Sequence, residues 1–422
     1  MKTIAVRLYG KNDLRLEEFE LPPIKDNEIL AKIITDSICM STYKAVIRGK
    51  AHKRVADDVD KNPVIIGHEF CGEIIEVGSA LREKYHTGMK FSVQTNLNLK
   101  DNPYAAPGYS FRYIGGSATH VIIPSEVIEL GCLLEYRGDA YFYGSLAEPM
   151  SCIIGAFHAS YHTEAGVYAH EMGIKPGGNM AILAGVGPMG LGAIDYAIHN
   201  ERKPSRLVVT DINKARLNRA SMLYTAEEAK KNGIDLVYLD TSAIEDPVNA
   251  LLSITGGKGF DDVFVFAPVK SVIEQGDRIL GKDGCLNFFA GPADPSFSAE
   301  LNLYNVHYNS THIIGTSGGN TEDMVEALDM MVDGRINPSS MITHIGGLDS
   351  TIETTMNLPE MPGGKKLIYN NISMELTAID EFRSKAGQNP LFLRLAEIVE
   401  ANNSLWCLEA EKYLLENAKP IV

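Results

Sequence analysis

The sequence predicts an α/β protein: a β-rich domain, then a doubly wound parallel sheet, then a return to the first domain and a helical tail. Three observations carry this. From about residue 178, apolar runs of strand length alternate with helical segments, as expected of strands buried on both faces with crossover helices between them. Before that point the chain reads as short strands punctuated by Gly, Pro and Asn-Asp clusters. A chain of 422 residues, 45% hydrophobic and 22% charged, has ordinary globular composition and room for two or three cored domains.

The β-rich domain is expected over 1–158, with strands in TIAVRLYG, EILAKIITD, VIIGHEFCGEIIEV and ATHVIIP. A helix is expected at EPMSCIIGAFHASYH. There Met150, Ile153, Ile154 and Phe157 recur at helical spacing, and Pro149 suits the first helical position. The parallel sheet is expected over 159–314, from MAILAG (180–185), LVVTD (207–211), DLVYLD (235–240), DVFVFA (262–267), CLNFFAG (285–291) and HIIGTSG (312–318), whose last residues run past that boundary. Residues 315–372 are expected to complete the β-rich domain, with GGKKLIY (363–369) as a last strand. Residues 373–422 are expected to form a helical C-terminal extension that covers the β-rich domain or contributes to an interface, with helices around PLFLRLAEIVEANN and LWCLEAEKYLLENA.

A formal net charge of −15 repels nucleic acid and anionic lipid, so neither is an expected partner. Cys39, Cys71, Cys132, Cys152, Cys285 and Cys407 are widely spread with no CxxC pair, which argues against a disulfide framework and fits a reducing cytoplasm. The first residues lack a signal-peptide core, and no run approaches the ~20 apolar residues of a membrane helix.

The segment NMAILAGVGPMGLGAIDYAIH holds Gly185, Gly187 and Gly190 in G-x-G-x-x-G spacing, between a strand and the helix opened by Pro188 and Met189. The first glycine permits a tight turn, the second lets backbone approach a pyrophosphate, and the third lets helix and strand pack. Helix-start N–H groups then face the phosphates. Asp211 ends the next strand, where a carboxylate accepts from ribose hydroxyls and repels a 2′-phosphate, so NAD(H) is favoured over NADP(H). Lys214, Arg216 and Arg219 follow closely and keep a phosphate-bearing cofactor in view. The bland alternative is a turn aspartate and packing glycines.

The stretch GHEFCGEIIEVG places His68 beside Glu69 in an otherwise apolar segment. Burying such a pair is costly unless a cation compensates it. Hydride transfer to a carbonyl needs an electrophile, and zinc, which takes Cys, His and carboxylate ligands with one position open, supplies one. Cys39 in SICMSTYKAVIRG, then His68 and Glu69, then Glu148 before Pro149, all ahead of a nucleotide motif, resemble the zinc-dependent medium-chain alcohol and polyol dehydrogenases.

The resemblance covers about residues 1–370. It implies a GroES-like catalytic domain and a Rossmann domain meeting at a cleft, in a homo-oligomer. It implies one catalytic Zn2+ on Cys39 and His68, with Glu69 and Glu148 as candidate carboxylate ligands. Ser41 would relay the substrate proton, with Lys44 as its onward terminus. Thr42 stands where relatives carry an acid. No structural zinc is implied, because NLNLKDNPYAAPGYSFRYIGG holds no cysteine. The stretches MKTIAVRLYGKNDLRLEEFELP, PVIIGHEFCGEI, DGCLNFFAGP and GTSGGNTEDM narrow the resemblance to a bacterial sugar-phosphate branch. That branch implies interconversion of L-sorbose 1-phosphate and D-glucitol 6-phosphate.

Taken singly, Cys39 reads as a core thiol, Ser41 as a helix cap and Glu148 as an anion at a helix N-terminus. The run KAVIRGKAHKR (44–54), basic in an acidic chain, offers Lys44 and Arg48 to a substrate phosphate; Lys365 in PGGKKL is a second candidate. A solvated loop balanced by Asp57, Asp58 and Asp60 is the alternative. The rival functions are an unphosphorylated-polyol dehydrogenase such as one for sorbitol, a zinc-free quinone reductase, and a non-catalytic dinucleotide-binding protein.

Overall fold

The computed structural model describes all 422 residues, and the chain divides into two compact units. The first comprises Met1–Pro149, Asn320–Asp333 and Pro338–Val422, and the second Met150–Gly319 and Gly334–Asn337. The C-terminal extension is part of the first unit.

In the first unit the strand Ile29–Ile38 is central to an eight-stranded sheet. On one side Phe70–Val77 runs antiparallel to it, with Asp36 opposite Phe70. On the other side Lys365–Tyr369 also runs antiparallel, with Lys366 opposite Ile38, and His120–Ile123 pairs its other half. Ile29–Ile38 is buried almost throughout, as befits a strand covered on both faces. This register brings three chain segments to one sheet end. Cys39 leaves the central strand there, while Glu69 and Lys365 enter its two neighbours.

The tail supplies a core of its own. Phe382, Phe392, Leu395, Trp406, Ala410 and Leu414 pack with Phe142, Leu146, Ile345, Leu367 and Tyr369. The helices Pro390–Ala401 and Leu408–Asn417 present Phe392, Leu395, Ala410 and Leu414. Within that core the Glu411 carboxylate accepts from the backbone N–H groups of Tyr141 (2.7 Å) and Phe142 (3.0 Å) and from the Tyr369 hydroxyl (2.9 Å). It thereby satisfies orphan donors at the start of the helix Tyr141–Ala159. Trp406 Nε1 donates to the same Tyr369 hydroxyl at 2.7 Å.

The expected helix at 148–162 is corrected in both directions. It begins at Tyr141, so Pro149 lies inside it. A proline there lacks the N–H that would close one helical bond. The early start is favoured by Glu411, which is remote in sequence. At the other end Tyr161 and His162 belong to a hairpin, Tyr161–Glu164 with Val167–Met172.

The second unit holds a six-stranded parallel sheet. Its order is Asp235–Asp240, Arg206–Asp211, Asn179–Leu183, Phe260–Val265, Leu280–Phe288 and His312–Ile314. That is the doubly wound order with its reversal after the first strand. The fourth strand starts earlier than the apolar run, at Phe260. Its acids find donors: Asp261 accepts from Asn179 N (2.7 Å), and Asp262 from Lys175 N (2.8 Å). No helix in either unit is long and apolar enough to cross a membrane.

Burial pushes the Glu411 carboxyl up to about 7 from an ordinary 4.5, against the hydrogen bonds it accepts. A raised folded value means stability present in full below about 4.5 and lost as pH rises through about 7. The melting temperature of Glu411→Gln, neutral throughout, should therefore gain on the wild type between about pH 5 and pH 8; a constant difference would refute this.

Candidate active site

Cys39, His68 and Glu69 come together: one ligand atom from each lies within 4.8 Å of the others. The local chain explains the arrangement. Gly67, at φ +91°, turns the backbone between the apolar run and His68, and a Cβ there would stand 2.2 Å from Asp36 Oδ2. Asp36 is itself buried and takes a 2.8 Å bond from Ser117 Oγ. The Ser37 N–H donates to the Glu69 carbonyl at 2.9 Å, which locks the segment beside the central strand.

His68 is held at both ring nitrogens. Thr42 Oγ1 lies 3.1 Å from Nδ1, and Ser41 Oγ 3.2 Å and the Tyr109 hydroxyl 3.4 Å from Nε2. With Thr42 accepting at Nδ1, the tautomer leaves the Nε2 lone pair toward Cys39 and Ser41. Burial lowers His68 to about 4, so the imidazole is neutral. Thr42, standing where an acid was expected, does the supporting work through its hydroxyl. Ser41 Oγ also donates to Cys39 Sγ at 3.1 Å. Burial, then the Glu69 charge, push the Cys39 thiol up to about 12, with Lys365 opposing.

Glu69 is paired. Lys365 Nζ donates to its two oxygens at 2.5 and 2.6 Å, with both side chains buried. Burial alone lowers the Lys365 pKa, but Glu69, Cys39 and Glu148 together leave it raised. This corrects the phosphate role expected of Lys365. Its side chain is 6% exposed and its ammonium is engaged by a carboxylate at the start of the strand that pairs with Ile29–Ile38. Glu148, on the interior of the helix rather than its N-terminus, is buried and close enough to raise both Cys39 and Lys365.

Lys44 and Arg48 lie half-buried on the helix Met40–Arg48, and their charges bear on His52. Tyr109 and Arg54 also reach the site's surroundings. The Tyr109 ring lies 4.9 Å from that of His68, and the Arg54 guanidinium 5.5 Å from that of Tyr109. Tyr109 comes from the cysteine-free segment, whose Leu97, Ala106 and Ile114 are buried. Nothing local in the sequence marks a tyrosine in a turn-rich stretch as a neighbour of His68.

In the second unit, Gly187 caps the helix Pro188–His199, with Pro188 and Met189 in its first turn. A Cβ on Gly185 would meet Ile182 at 2.3 Å, and one on Gly190 the Gly185 carbonyl at 2.2 Å, whereas one on Gly187 would meet nothing within 4 Å. The outer glycines are packing requirements, and the middle one faces open space at a helix start, a cradle suited to a pyrophosphate. Asp211 ends its strand and accepts from Asn213 N at 2.8 Å.

Comparisons with known proteins agree with these features. Residues 25–131 match the alcohol dehydrogenase GroES-like domain and residues 188–333 the zinc-binding dehydrogenase model. The chain is 54% identical to mannitol-1-phosphate 5-dehydrogenase of Aliivibrio fischeri, over 98% of each chain. It is 49% identical to L-sorbose 1-phosphate reductase of Klebsiella pneumoniae, over 99% of this chain and 98% of that one. Among solved structures, a Sinorhizobium meliloti protein described as a zinc-binding dehydrogenase, bound to NADP, has a TM-score of 0.70 at 20% identity, covering 87% of this chain and 99% of its own. With a GroES-like domain, a Rossmann-type parallel sheet and relatives of this similarity along its whole length, the chain belongs to the zinc-binding medium-chain dehydrogenases and is an oxidoreductase.

Proposed function

We propose that the chain is a nicotinamide-dependent polyol-phosphate dehydrogenase that interconverts a ketose phosphate and its polyol phosphate. The observation that carries the reading is the buried thiol, neutral imidazole and carboxylate cluster of Cys39, His68 and Glu69. The names of the two relatives, both acting on hexose-derived phosphates, support the substrate class.

The donor set suits zinc: sulfur, imidazole nitrogen and carboxylate oxygen are its ligands, and a buried thiol with so high a pKa needs a cation to stay a thiolate. Cys39 and His68 would hold the ion, with Glu148 as the carboxylate ligand. Both Glu69 oxygens are taken by Lys365, which supports a counter-charge role for Glu69. When bound, zinc supplies Lewis-acid polarisation of the substrate oxygen. The Ser41 hydroxyl, next to Cys39 and His68, carries the proton between substrate oxygen and solvent. A nicotinamide dinucleotide held at the Gly187 turn would supply or accept the hydride. Asp211 supports NAD(H) over NADP(H) through the ribose hydroxyls.

The deciding experiment is NADH oxidation with L-sorbose 1-phosphate beside L-sorbose on metal-replete protein. A strong preference for the phosphate over a slow but measurable turnover of the free sugar is expected; equal or better turnover of the free sugar would sink the sugar-phosphate reading. A second reading, favoured by the Aliivibrio fischeri relative, puts the reacting carbon far from the phosphate, as in a mannitol 1-phosphate oxidised at carbon 5. D-fructose 6-phosphate in the same assay separates the two.

Ser41→Ala should lower kcat by roughly 10²-fold, with the metal content measured by mass spectrometry unchanged. An unaltered kcat would remove Ser41 from the proton path. Lys365→Met, which strands a buried carboxylate, should cost about 3–5 kcal/mol of stability in denaturant titration, with Lys365→Arg recovering most of it. A near-neutral Lys365→Met would mean that Glu69 is not held as a charge.

A further inference from the structure

The basic run that begins on the helix Met40–Arg48 does not spread into solvent as an unstructured band of charge. Part of it folds against the ring that touches His68. The Arg54 guanidinium lies 5.5 Å from the centroid of Tyr109, and the Tyr109 hydroxyl is 3.4 Å from His68 Nε2. One aromatic ring therefore separates Arg54 from a residue of the metal cluster.

Arg54 is also held in place. Its Nη2 donates to Asn96 Oδ1 at 2.8 Å, its backbone N–H to His52 Nδ1 at 3.3 Å, and its carbonyl accepts from Ser110 Oγ at 2.7 Å. The His52 ring stacks on Tyr109 at 6.0 Å with an interplanar angle of 13°. An amide oxygen and an aromatic face orient the half-buried guanidinium, but neither cancels its charge. A planar fork fixed in this way is suited to two oxygens of a phosphate, and fixing it beforehand lowers the entropy lost on binding. Lys44, Arg48 and Lys53 add positive potential at the same place: with burial, they and Arg54 lower His52 to about 4.

We propose that Arg54, oriented by Asn96 and Tyr109, is the residue that recognises the substrate phosphate and so sets the preference for phosphorylated over free sugars. The proposal rests on the polyol-phosphate reading above. It moves the phosphate contact away from Lys365, which is committed to Glu69, and onto a residue facing the Tyr109 ring.

The test is the ratio of kcat/KM for the phosphorylated ketose to that for the same ketose without its phosphate, L-sorbose or D-fructose. It is measured with NADH in wild type, Arg54→Met and Arg54→Lys, using whichever of L-sorbose 1-phosphate and D-fructose 6-phosphate the wild type reduces faster. Arg54→Met should lower the ratio by roughly 10²-fold, and Arg54→Lys should restore part of it. Inorganic phosphate should inhibit wild type competitively against the phosphorylated ketose, and Arg54→Met at least tenfold more weakly. A folding defect lowers both substrates together and leaves the ratio alone. Wild-type preference for the phosphate with an unchanged ratio in Arg54→Met would overturn the assignment and leave the function standing. A wild type that shows no preference for the phosphate would overturn both.

Discussion

The buried pair of Glu69 and Lys365 is the constraint on which the catalytic unit depends. Its partners lie 296 residues apart in the chain, and each is nearly closed to solvent. Neither charge is tolerable alone at that depth. The pair thus ties the strand that follows His68 to a strand near the far end of the chain, with the strand that ends at Cys39 between them. Register then determines chemistry. Slipping either neighbour by one residue would turn its side chains to the opposite face and break the cluster along with the pair.

Features that depend on neighbours in sequence were legible before the structure was known. The parallel strands show as apolar runs, the strand–turn–helix at Gly187 as spaced glycines, and the cluster of Cys39, His68 and Glu69 as a cysteine with the GHE segment. What could not be read depends on partners distant in sequence. Lys365 looked like a free cation because nothing nearby announces Glu69. Thr42 looked like a loss of support because an expected acid was missing, yet a hydroxyl fits against His68 Nδ1 just as directly. The helix start at Tyr141 was hidden because its capping carboxylate is Glu411. Pro149 was misread for the same reason: proline is common at helix starts, and only the earlier cap makes it an interior residue.

Charge is distributed unevenly, and that has meaning in a chain of net −15. The overall field disfavours anions, so an anionic substrate needs a local reversal. The helix after Cys39 and the turns that follow provide one. Two acidic groups near Cys39 and His68 are meanwhile neutralised individually: Glu69 by Lys365 directly, and Asp36 through burial, which raises its carboxyl well above the usual range. The catalytic unit therefore presents less negative charge at its centre than its composition suggests.

The tail's place in the core has a consequence for how the protein is made. Synthesis delivers residues from the N-terminus onward, and most of the nucleotide-binding unit lies in one stretch, Met150–Gly319. That stretch can close while the remainder is still on the ribosome, a lag on the order of ten seconds at ordinary elongation rates. The catalytic unit, begun first, is finished last. Until Lys365 emerges, Glu69 has no cation, and until Trp406, Glu411 and Leu414 follow, the apolar surface of Phe142, Leu146 and Tyr369 lacks its cover. The nascent chain thus carries an open, half-built sheet through much of its synthesis, the stage at which a holding chaperone would matter most.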